Sequence, residues 1–470
     1  MAENESAQVK GPKPISKTTR FWYGFGDCWF TIMSNVETFF WNFFMTNIAM
    51  FATEVTATIS LIAGIVDTGL SWIYGGIINA VKPGKWGRYR SWLVTLPWLV
   101  PFLYVIEFLK IGEGMMAYSI VLGGYIIAHI VWNIPWVANA TLVSACGGTP
   151  EGRAALASSR ATWNQLAGVA FSYIGPPLAL VLAGIVGKNY QYAVLAFILG
   201  IVMVFSYWVN FKVTEGYEEI EKPEDIAKKK SKTGATVKDM GKALVQNSHL
   251  CFLILGDFPK YCIKFVTAAA AAYYFTYVAQ NMKLLPVYIL ASNLCALFGG
   301  FISGFLAKKL TTRTTVLGTY VVMAAGCILT YLVYNNIGLV IVLMSVVQLG
   351  YGITYACCTA LYGDAAVYSQ WKLGVDCRGW IMGLQTFPLK AGVIARAVIL
   401  NFSLMLVGFD AKVDASQASE ALKRGVAAAF ALIPGLFLCI GIVLLFFGYR
   451  LTSEKLVQYQ SEIDARKAAN

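Results

Sequence analysis

The chain consists mainly of long apolar segments separated by short polar loops. Most of these segments have about twenty residues or more, enough for an α-helix to cross the roughly 30 Å hydrocarbon core of a membrane. The pattern predicts twelve segments, at about 20–50, 55–80, 91–110, 115–145, 160–186, 190–211, 248–280, 284–307, 314–334, 337–363, 379–408 and 425–449. The sequence therefore predicts an all-α membrane protein with twelve transmembrane helices.

One long polar stretch, residues 212–247, divides the twelve segments into two sets of six. A charged stretch of this length is typical of a solvated linker between two domains. We expect a cytoplasmic tail, a six-helix bundle, a cytoplasmic linker, a second six-helix bundle and a cytoplasmic tail, at 1–19, 20–211, 212–247, 248–450 and 451–470. Two six-helix halves form the major facilitator fold, in which the substrate site lies between them.

Composition and charge placement agree with a membrane protein. Hydrophobic residues make up 57% of the chain and charged residues 13%, about half of the ~25% charged residues of a soluble domain. Of the 37 Lys and Arg residues, 27 lie in the N-terminal tail, the loops after even-numbered segments and the C-terminal tail. Basic residues concentrate on the cytoplasmic side of membranes, so both termini are expected there. The net charge of +12 therefore reflects topology, and no nucleic-acid partner is expected.

Polar side chains recur at helical spacing within several apolar segments. In the first segment they share one helical face: Asp27, Thr31, Asn35, Thr38 and Asn42. The fourth segment carries a second set: Tyr125, His129, Trp132, Asn133, Trp136 and Asn139. The fifth and tenth segments add Arg160, Asn164, Gln348, Tyr351 and Tyr355. Such residues can line a substrate cavity or form a packing seam between helices, and both interpretations stay open.

Charged residues inside the apolar segments are a sharper signal, because each costs roughly 2.5–3.5 kcal/mol in lipid. Asp67 has no basic residue nearby in sequence, which predicts that it takes up a proton or holds a cation. Asp257, Lys260 and Lys264 share a helical face. An ion pair between Asp257 and Lys260 would leave Lys264 without a partner. Three other intramembrane charged residues receive no role: Glu37, Glu107 and Arg396.

Basic side chains outnumber acids around the expected cavity. Five basic side chains lie in or near this cavity: Arg160, Lys260, Lys264, Lys390 and Arg396. The sequence offers few intramembrane acids to oppose them, and a surplus of one sign attracts a substrate of the other. We therefore expect an anionic substrate.

Several motifs resemble the glycoside–pentoside–hexuronide:cation symporter family. They are Tyr23-Gly24-Phe25-Gly26-Asp27, Ile65-Val66-Asp67, Lys85-Trp86-Gly87-Arg88-Tyr89-Arg90-Ser91-Trp92, Asn133-Ile134-Pro135-Trp136, Tyr273-Tyr274-Phe275-Thr276-Tyr277-Val278 and Gln385-Thr386-x-x-x-Lys390. The similarity spans residues 20 to about 400. The resemblance implies the major facilitator fold and cation-coupled sugar transport.

The resemblance also implies a cation site around Asp67, which corresponds to the family's principal cation carboxylate. Ser71 stands where sodium-coupled members have a second aspartate, and Asn133 stands where sugar-binding members have one. We expect these three residues to form the cation site. A single carboxylate is a poor cage for Na⁺, which prefers several oxygen ligands, but it can carry a proton.

For the substrate site, the resemblance implies that Arg160, Gln385, Thr386 and Lys390 surround the sugar, while Thr31 replaces another family aspartate. Together with the polar stripes, this gives the candidate substrate residues Thr31, Asn35, Asn133, Trp136, Arg160, Asn164, Lys264, Tyr351, Gln385, Thr386 and Lys390. The missing aspartates disfavour a neutral galactoside and favour an acidic sugar.

The sequence thus predicts a secondary active transporter and not an enzyme. We expect symport of a sugar derivative, acidic before neutral, with H⁺ or Na⁺ as the coupling ion and no cofactor or bound metal. We expect the protein to be a monomer and to cross a bacterial inner membrane many times. One alternative is a transporter of a bulkier amphipathic anion such as a steroid conjugate, which the aromatic stripes would accept; a remote one is a membrane-embedded sensor or enzyme.

Overall fold

The protein is helical through nearly all of the chain that the structure describes. The structure, a computed structural model, describes residues 14–81, 84–146, 150–218, 244–374, 381, 383–410 and 414–469. No β-strand occurs in these ranges. Most of the predicted linker, at 219–243, and the first thirteen residues lie outside them, as does the side chain of Ser71.

The first six transmembrane helices follow one another with short loops. A short helix, Lys17–Trp22, precedes them. Helix 1 comprises Phe25–Val36 and two π-helical turns, Glu37–Trp41 and Phe44–Ile48. Helix 2 is Thr53–Ala80, and helix 3 comprises Trp92–Thr95, a 3₁₀ turn at Pro97–Leu99 and Val100–Ile106. Helices 4, 5 and 6 are Gly114–Cys146, Pro150–Ile185 and Gln191–Val213.

The second half repeats the arrangement. Helix 7 is Ser248–Tyr273 followed by a π-helical turn, Tyr274–Val278. Helices 8, 9, 10 and 11 are Leu285–Leu310, Thr312–Leu332, Ile337–Leu373 and Thr386–Leu406. Helix 12 comprises Glu420–Ala427, a π-helical turn at Ala428–Leu432 and Ile433–Gly448. A last helix, Ser453–Ala469, follows it.

The helices have the length and composition of membrane spans. Within the described ranges, nine are long and apolar enough to cross a membrane. The other three are helix 1, which π-helical turns divide, helix 3, which is shorter, and helix 7, which carries three charged residues, Asp257, Lys260 and Lys264. The predicted all-α architecture of twelve membrane helices is confirmed.

Two helices extend beyond the predicted apolar segments. Helix 5 begins at Pro150, not near residue 160, and helix 10 ends at Leu373, not near residue 363. The added turns contain charged and small polar residues that a search for apolar segments does not count. Proline at the first helical position, as in helix 5, favours a helix start.

The two halves contact each other along helix pairs 1 and 7, 2 and 11, and 5 and 8. Glycine allows a close approach in the last pair, because a Cβ on Gly168 would lie only 2.8 Å from Oδ1 of Asn293. Asn293 donates a hydrogen bond to the backbone carbonyl of Gly168 at 2.5 Å. Because helix 1 packs against helix 7, the part of its polar stripe from Thr31 to Asn42 lies at the boundary between the halves.

Candidate substrate and cation sites

A chain of five ionisable side chains crosses the boundary between the halves. Lys390 Nζ of helix 11 lies 2.6 Å from Asp67 Oδ2 of helix 2. The other oxygen of Asp67 lies 3.1 Å from Nδ1 of His129, on helix 4. Nε2 of the same imidazole lies 2.9 Å from Oε2 of Glu37, on helix 1, and Oε1 of Glu37 accepts from Arg396 of helix 11 at 2.9 Å. We call Lys390, Asp67, His129, Glu37 and Arg396 the ionic network.

Four of the five network residues are buried and Lys390 is partly buried, so each contact among them matters for stability. The exposed fraction is 4% for Asp67, 5% for Glu37 and His129, and 7% for Arg396. A buried charge is costly unless an opposite charge and hydrogen bonds compensate it. Here two cations of the C-terminal half compensate two acids of the N-terminal half. The network therefore holds helix 11 against helices 1 and 2.

A second ion pair lies wholly within the N-terminal half. Arg160 donates through Nε and Nη2 to the two oxygens of Asp27, at 2.6 and 2.8 Å. Asp27 also accepts from Nδ2 of Asn139 at 2.9 Å. This bidentate geometry fixes the guanidinium of Arg160 on helix 1.

A third pair lies within helix 7, where Lys260 Nζ is 2.5 Å from Asp257 Oδ1. Lys264, one turn further along, makes no hydrogen bond or ion pair with any residue that the structure describes. Its ammonium lies 5.8 Å from the ring centroid of Tyr351 and 5.5 Å from that of Phe265. Aromatic faces attract a cation weakly at this distance, so Lys264 stays available to a ligand.

The expectation of five basic side chains with few partners is therefore wrong. Four of them form ion pairs: Arg160, Lys260, Lys390 and Arg396. The acids that pair with Lys390 and Arg396 are 323 and 359 residues away in sequence, too far for helical periodicity to connect them. The predicted surplus of positive charge reduces to Lys264.

Lys264 lines a cavity between the halves. Helices 1, 5, 7, 8 and 10 form its walls, and among its lining residues are Thr31, Asn35, Thr38, Asn164, Gln165, Lys264, Asn293, Gln348 and Tyr351. Its volume is about 100 Å³, smaller than the roughly 300–1,000 Å³ of most ligand sites. Thr31 donates a hydrogen bond to Asn164 across it. Five of the predicted substrate residues thus meet around one polar space, which must widen to admit a sugar.

The remaining predicted site residues lie elsewhere. Asn133 donates a hydrogen bond to Asp67 at 3.4 Å, so it lies beside the ionic network. Lys390, also a predicted substrate residue, is a member of that network. Trp136 stacks on Phe30 with ring centroids 5.8 Å apart. At the start of helix 11, Gln385 accepts a hydrogen bond from Thr359 at 3.0 Å, and the neighbouring Thr386 is exposed.

Three residues of the ionic network were not among the predicted site residues: Glu37, His129 and Arg396. Their signals in the sequence were an ionisable group inside an apolar segment and, for His129, a place on the polar stripe of the fourth segment. Glu107 also lies nearby, fully buried, and neither of its carboxyl oxygens has a hydrogen-bond partner among the described residues. The structure supplies the partners of the first three through contacts between helices that are distant in sequence.

Side chains close the cavity at the end of the bundle remote from the two chain termini. Asn42 of helix 1 donates to Tyr273 Oη of helix 7 at 3.0 Å and to Asn401 of helix 11 at 3.1 Å. Thr46 lies 2.7 Å from the same hydroxyl of Tyr273. A second tyrosine hydroxyl, of Tyr277, accepts from Asn47 at 2.5 Å. We call these residues the remote closure; they join the two halves directly.

Comparison with known proteins agrees with this architecture. The family described as MFS/sugar transport protein matches residues 22–453. The isoprimeverose transporter of Lactiplantibacillus pentosus is 23% identical over 426 residues, 89% of this chain and 86% of that protein. The uncharacterized symporter YjmB of Bacillus subtilis is 22% identical and covers 98% of both chains. The putative sulfoquinovose importer of Salmonella typhimurium is 22% identical over 95% of this chain and 92% of its own.

Solved structures share the fold. A bacterial homolog of the human lysosomal transporter Spinster, in an inward-facing and occupied conformation, superimposes with a TM-score of 0.65. It is 12% identical and covers 94% of this chain and 99% of its own. The expected major facilitator fold and the resemblance to sugar symporters are confirmed. The chain is a multi-pass membrane transporter, not an enzyme, and it belongs to the MFS/sugar transport family.

Proposed function

We propose that the protein couples the entry of an acidic sugar derivative to the entry of a proton. The observation that carries this proposal is Lys264, a half-buried cation that lines the cavity between the halves and has no ion pair among the described residues. A carboxylate or sulfonate of the substrate would supply the missing anion through a charge-assisted hydrogen bond. The hydroxyl and amide groups of Thr31, Asn35 and Asn164 would bind the sugar hydroxyls.

The lining chemistry favours a sugar over a bulky amphipathic anion. Most of the residues that line the cavity carry a side-chain amide or hydroxyl, and the cavity is narrow in this conformation. A steroid conjugate would need a large apolar surface. The names of relatives that are 22–23% identical, an isoprimeverose transporter and a putative sulfoquinovose importer, support a sugar, and the second supports an acidic one.

The surroundings of Asp67 favour a proton over Na⁺. Its two oxygens face the ammonium of Lys390, the imidazole of His129 and the amide nitrogen of Asn133. These three nitrogen groups occupy carboxylate oxygens that Na⁺ would need among its several oxygen ligands. In this proposal Asp67 and its partners bind the coupling proton, and the transporter alternates access by rocking the two halves about the cavity.

We further propose a monomer in a bacterial inner membrane with both termini in the cytoplasm. Lys and Arg residues are concentrated in the tails and in the loops on the same side as the tails, which supports this orientation. The remote closure then faces outward, and the cavity opens inward when the halves separate at the other end.

Uptake into proteoliposomes tests the proposal. Purified protein is supplied with sulfoquinovose, glucuronate or glucose under an imposed pH gradient or an imposed Na⁺ gradient. We expect accumulation of at least one acidic sugar, driven by the pH gradient. Accumulation of glucose alone, or accumulation that only Na⁺ drives, would contradict the proposal.

A further inference from the structure

The contacts of His129 require one proton more than a neutral imidazole can provide. Nδ1 lies 3.1 Å from Asp67 Oδ1, and Nε2 lies 2.9 Å from Glu37 Oε2. An ionised carboxylate only accepts hydrogen bonds, so each nitrogen must carry a proton to make its contact. A neutral imidazole has a single N–H. The arrangement therefore holds an extra proton, either on the imidazole or on one of the two carboxyl groups.

The other oxygens of the carboxylates decide which group holds it. Lys390 lies 2.6 Å from Asp67 Oδ2, and Arg396 donates to Glu37 Oε1 at 2.9 Å. Each carboxylate thus has a cation on one oxygen and the imidazole on the other. A nearby cation stabilises the ionised form of a carboxylate, so the extra proton belongs on the ring.

We propose that His129 carries the coupling proton, as an imidazolium held between Asp67 and Glu37. This deepens the proposed function, on which its consequence for transport rests. Asp67 is then a partner of the proton carrier and not itself the carrier. Helices 1, 2 and 4 meet at one titratable group.

The rings around His129 suit a cation. Tyr125 stacks on the imidazole with ring centroids 3.8 Å apart and planes at 18°, and Trp132 lies 4.5 Å away. Aromatic faces stabilise a cation placed over them. The other titratable or charged groups near His129 and its two carboxylates are Tyr74 of helix 2, Tyr104 of helix 3, Glu107 just after helix 3, and Lys390 and Arg396 of helix 11.

Loss of this proton would change how the helices are joined. A neutral imidazole can donate to Asp67 or to Glu37, but not to both. The contact that loses its hydrogen would place a nitrogen lone pair against a carboxylate oxygen, which is unfavourable. Release of the proton to water therefore breaks the link between His129 and either helix 1 or helix 2. This gives a physical route from proton release to movement of the helices.

The protonation state can be measured without a substrate, because the chain has only two histidines, His129 and His249. A His249→Gln variant without a histidine tag is labelled with ¹⁵N-histidine and reconstituted in lipid, which leaves His129 as the sole labelled ring. At about pH 7.5 an unperturbed histidine is mostly neutral. We expect NMR to show two protonated ring nitrogens. One protonated and one bare nitrogen would overturn the inference, because the proton would then lie on a carboxyl group.

Substitutions of Asp67 and Glu37 test whether these two carboxylates keep His129 protonated. Asp67→Asn and Glu37→Gln each remove one charge partner, so each should increase the neutral fraction of His129 at the same pH. The control is Glu113→Gln, an exposed acid just before helix 4, about 24 Å from His129 at 1.5 Å per residue. An unchanged ring in both test variants would contradict the assignment. If these variants do not fold, the spectrum of the His249→Gln protein still decides.

Transport assays distinguish a failure of this inference from a failure of the proposed function. His129→Gln can form hydrogen bonds but cannot carry the proton, so we expect loss of pH-driven accumulation of sulfoquinovose or glucuronate. If the wild-type protein accumulates neither acid under a pH gradient, the proposed function fails whatever the spectrum shows. If the wild-type protein does so and His129→Gln retains full accumulation, this inference alone fails.

Discussion

Arg396 of helix 11 and Glu37 of helix 1 form an ion pair of 2.9 Å across the boundary between the two halves of the transporter. Both side chains are buried, and Glu37 begins a π-helical turn of helix 1. π-helical turns occur often at functional sites because they change which side chains face inward. The pair gives helix 11 a second electrostatic link to the N-terminal half beside that of Lys390 and Asp67.

This pair is expected to be essential for stability. Breaking a buried ion pair costs about 3–5 kcal/mol, and here it would leave Glu37 with His129 as its remaining charge partner in the network. Arg396→Gln should therefore lower the unfolding temperature strongly, measured by thermal unfolding in detergent. The double variant Glu37→Gln, Arg396→Gln removes both charges and should recover part of the loss. A double variant no more stable than Arg396→Gln would show that charge compensation is not the reason.

Asp67 is expected to be needed for uphill transport. Asp67→Asn should abolish accumulation against a gradient, while exchange of substrate down its gradient partly survives, because only the ion-driven step needs the carboxylate. Paired assays of accumulation and exchange in proteoliposomes measure this, with Glu113→Gln as the control that loses an exposed acid. Accumulation at the wild-type level would remove the coupling role from Asp67.

The remote closure should control opening at its end of the bundle. Tyr273→Phe deletes the hydroxyl that contacts Asn42 and Thr46, so the population open at that end should increase. Spin labels on Met50→Cys and Gln280→Cys, in a background without native cysteines, would report a longer distance between the halves. The matched control is Tyr190→Phe, an exposed tyrosine in the loop between helices 5 and 6. An unchanged distance distribution in Tyr273→Phe would contradict the role of the closure.

The orientation in the membrane is tested by labelling. A cysteine replacing Lys230, in the predicted cytoplasmic linker, should not react with an impermeant thiol reagent in intact cells. A cysteine replacing Lys188, in a loop predicted to face outward, should react. The reverse pattern would overturn the proposed topology.

The fold was largely predictable because each membrane helix must satisfy its own backbone hydrogen bonds and be apolar for about twenty residues. Polar extensions were missed, as at Pro150, where helix 5 continues beyond its apolar segment. The stripe of helix 1 placed Thr31 and Asn35 on one helical face, and in the structure both line the cavity between the halves. The same face continues beyond Glu37, where the chain enters a π-helical turn, because Thr38 lines the cavity and Asn42 contacts helices 7 and 11.

The pairing of charges could not be predicted in the same way. Asp67 and Lys390 were each identified as candidates, but their contact joins residues 323 positions apart. His129 was one member of an aromatic stripe, and nothing local indicated that two carboxylates from other helices would flank its ring. Periodicity predicts which face of a helix a residue occupies; it does not predict which helix lies opposite.

In the proposed function, Lys264 recognises the negative charge of the substrate. The most direct test compares binding of sulfoquinovose and glucose to wild-type protein and to Lys264→Gln, with Lys283→Gln as an exposed control. We predict that Lys264→Gln weakens binding of sulfoquinovose at least tenfold, about 1.4 kcal/mol, and changes glucose binding much less. Equal losses for the acidic and the neutral sugar, or no loss for the acidic one, would contradict the claim.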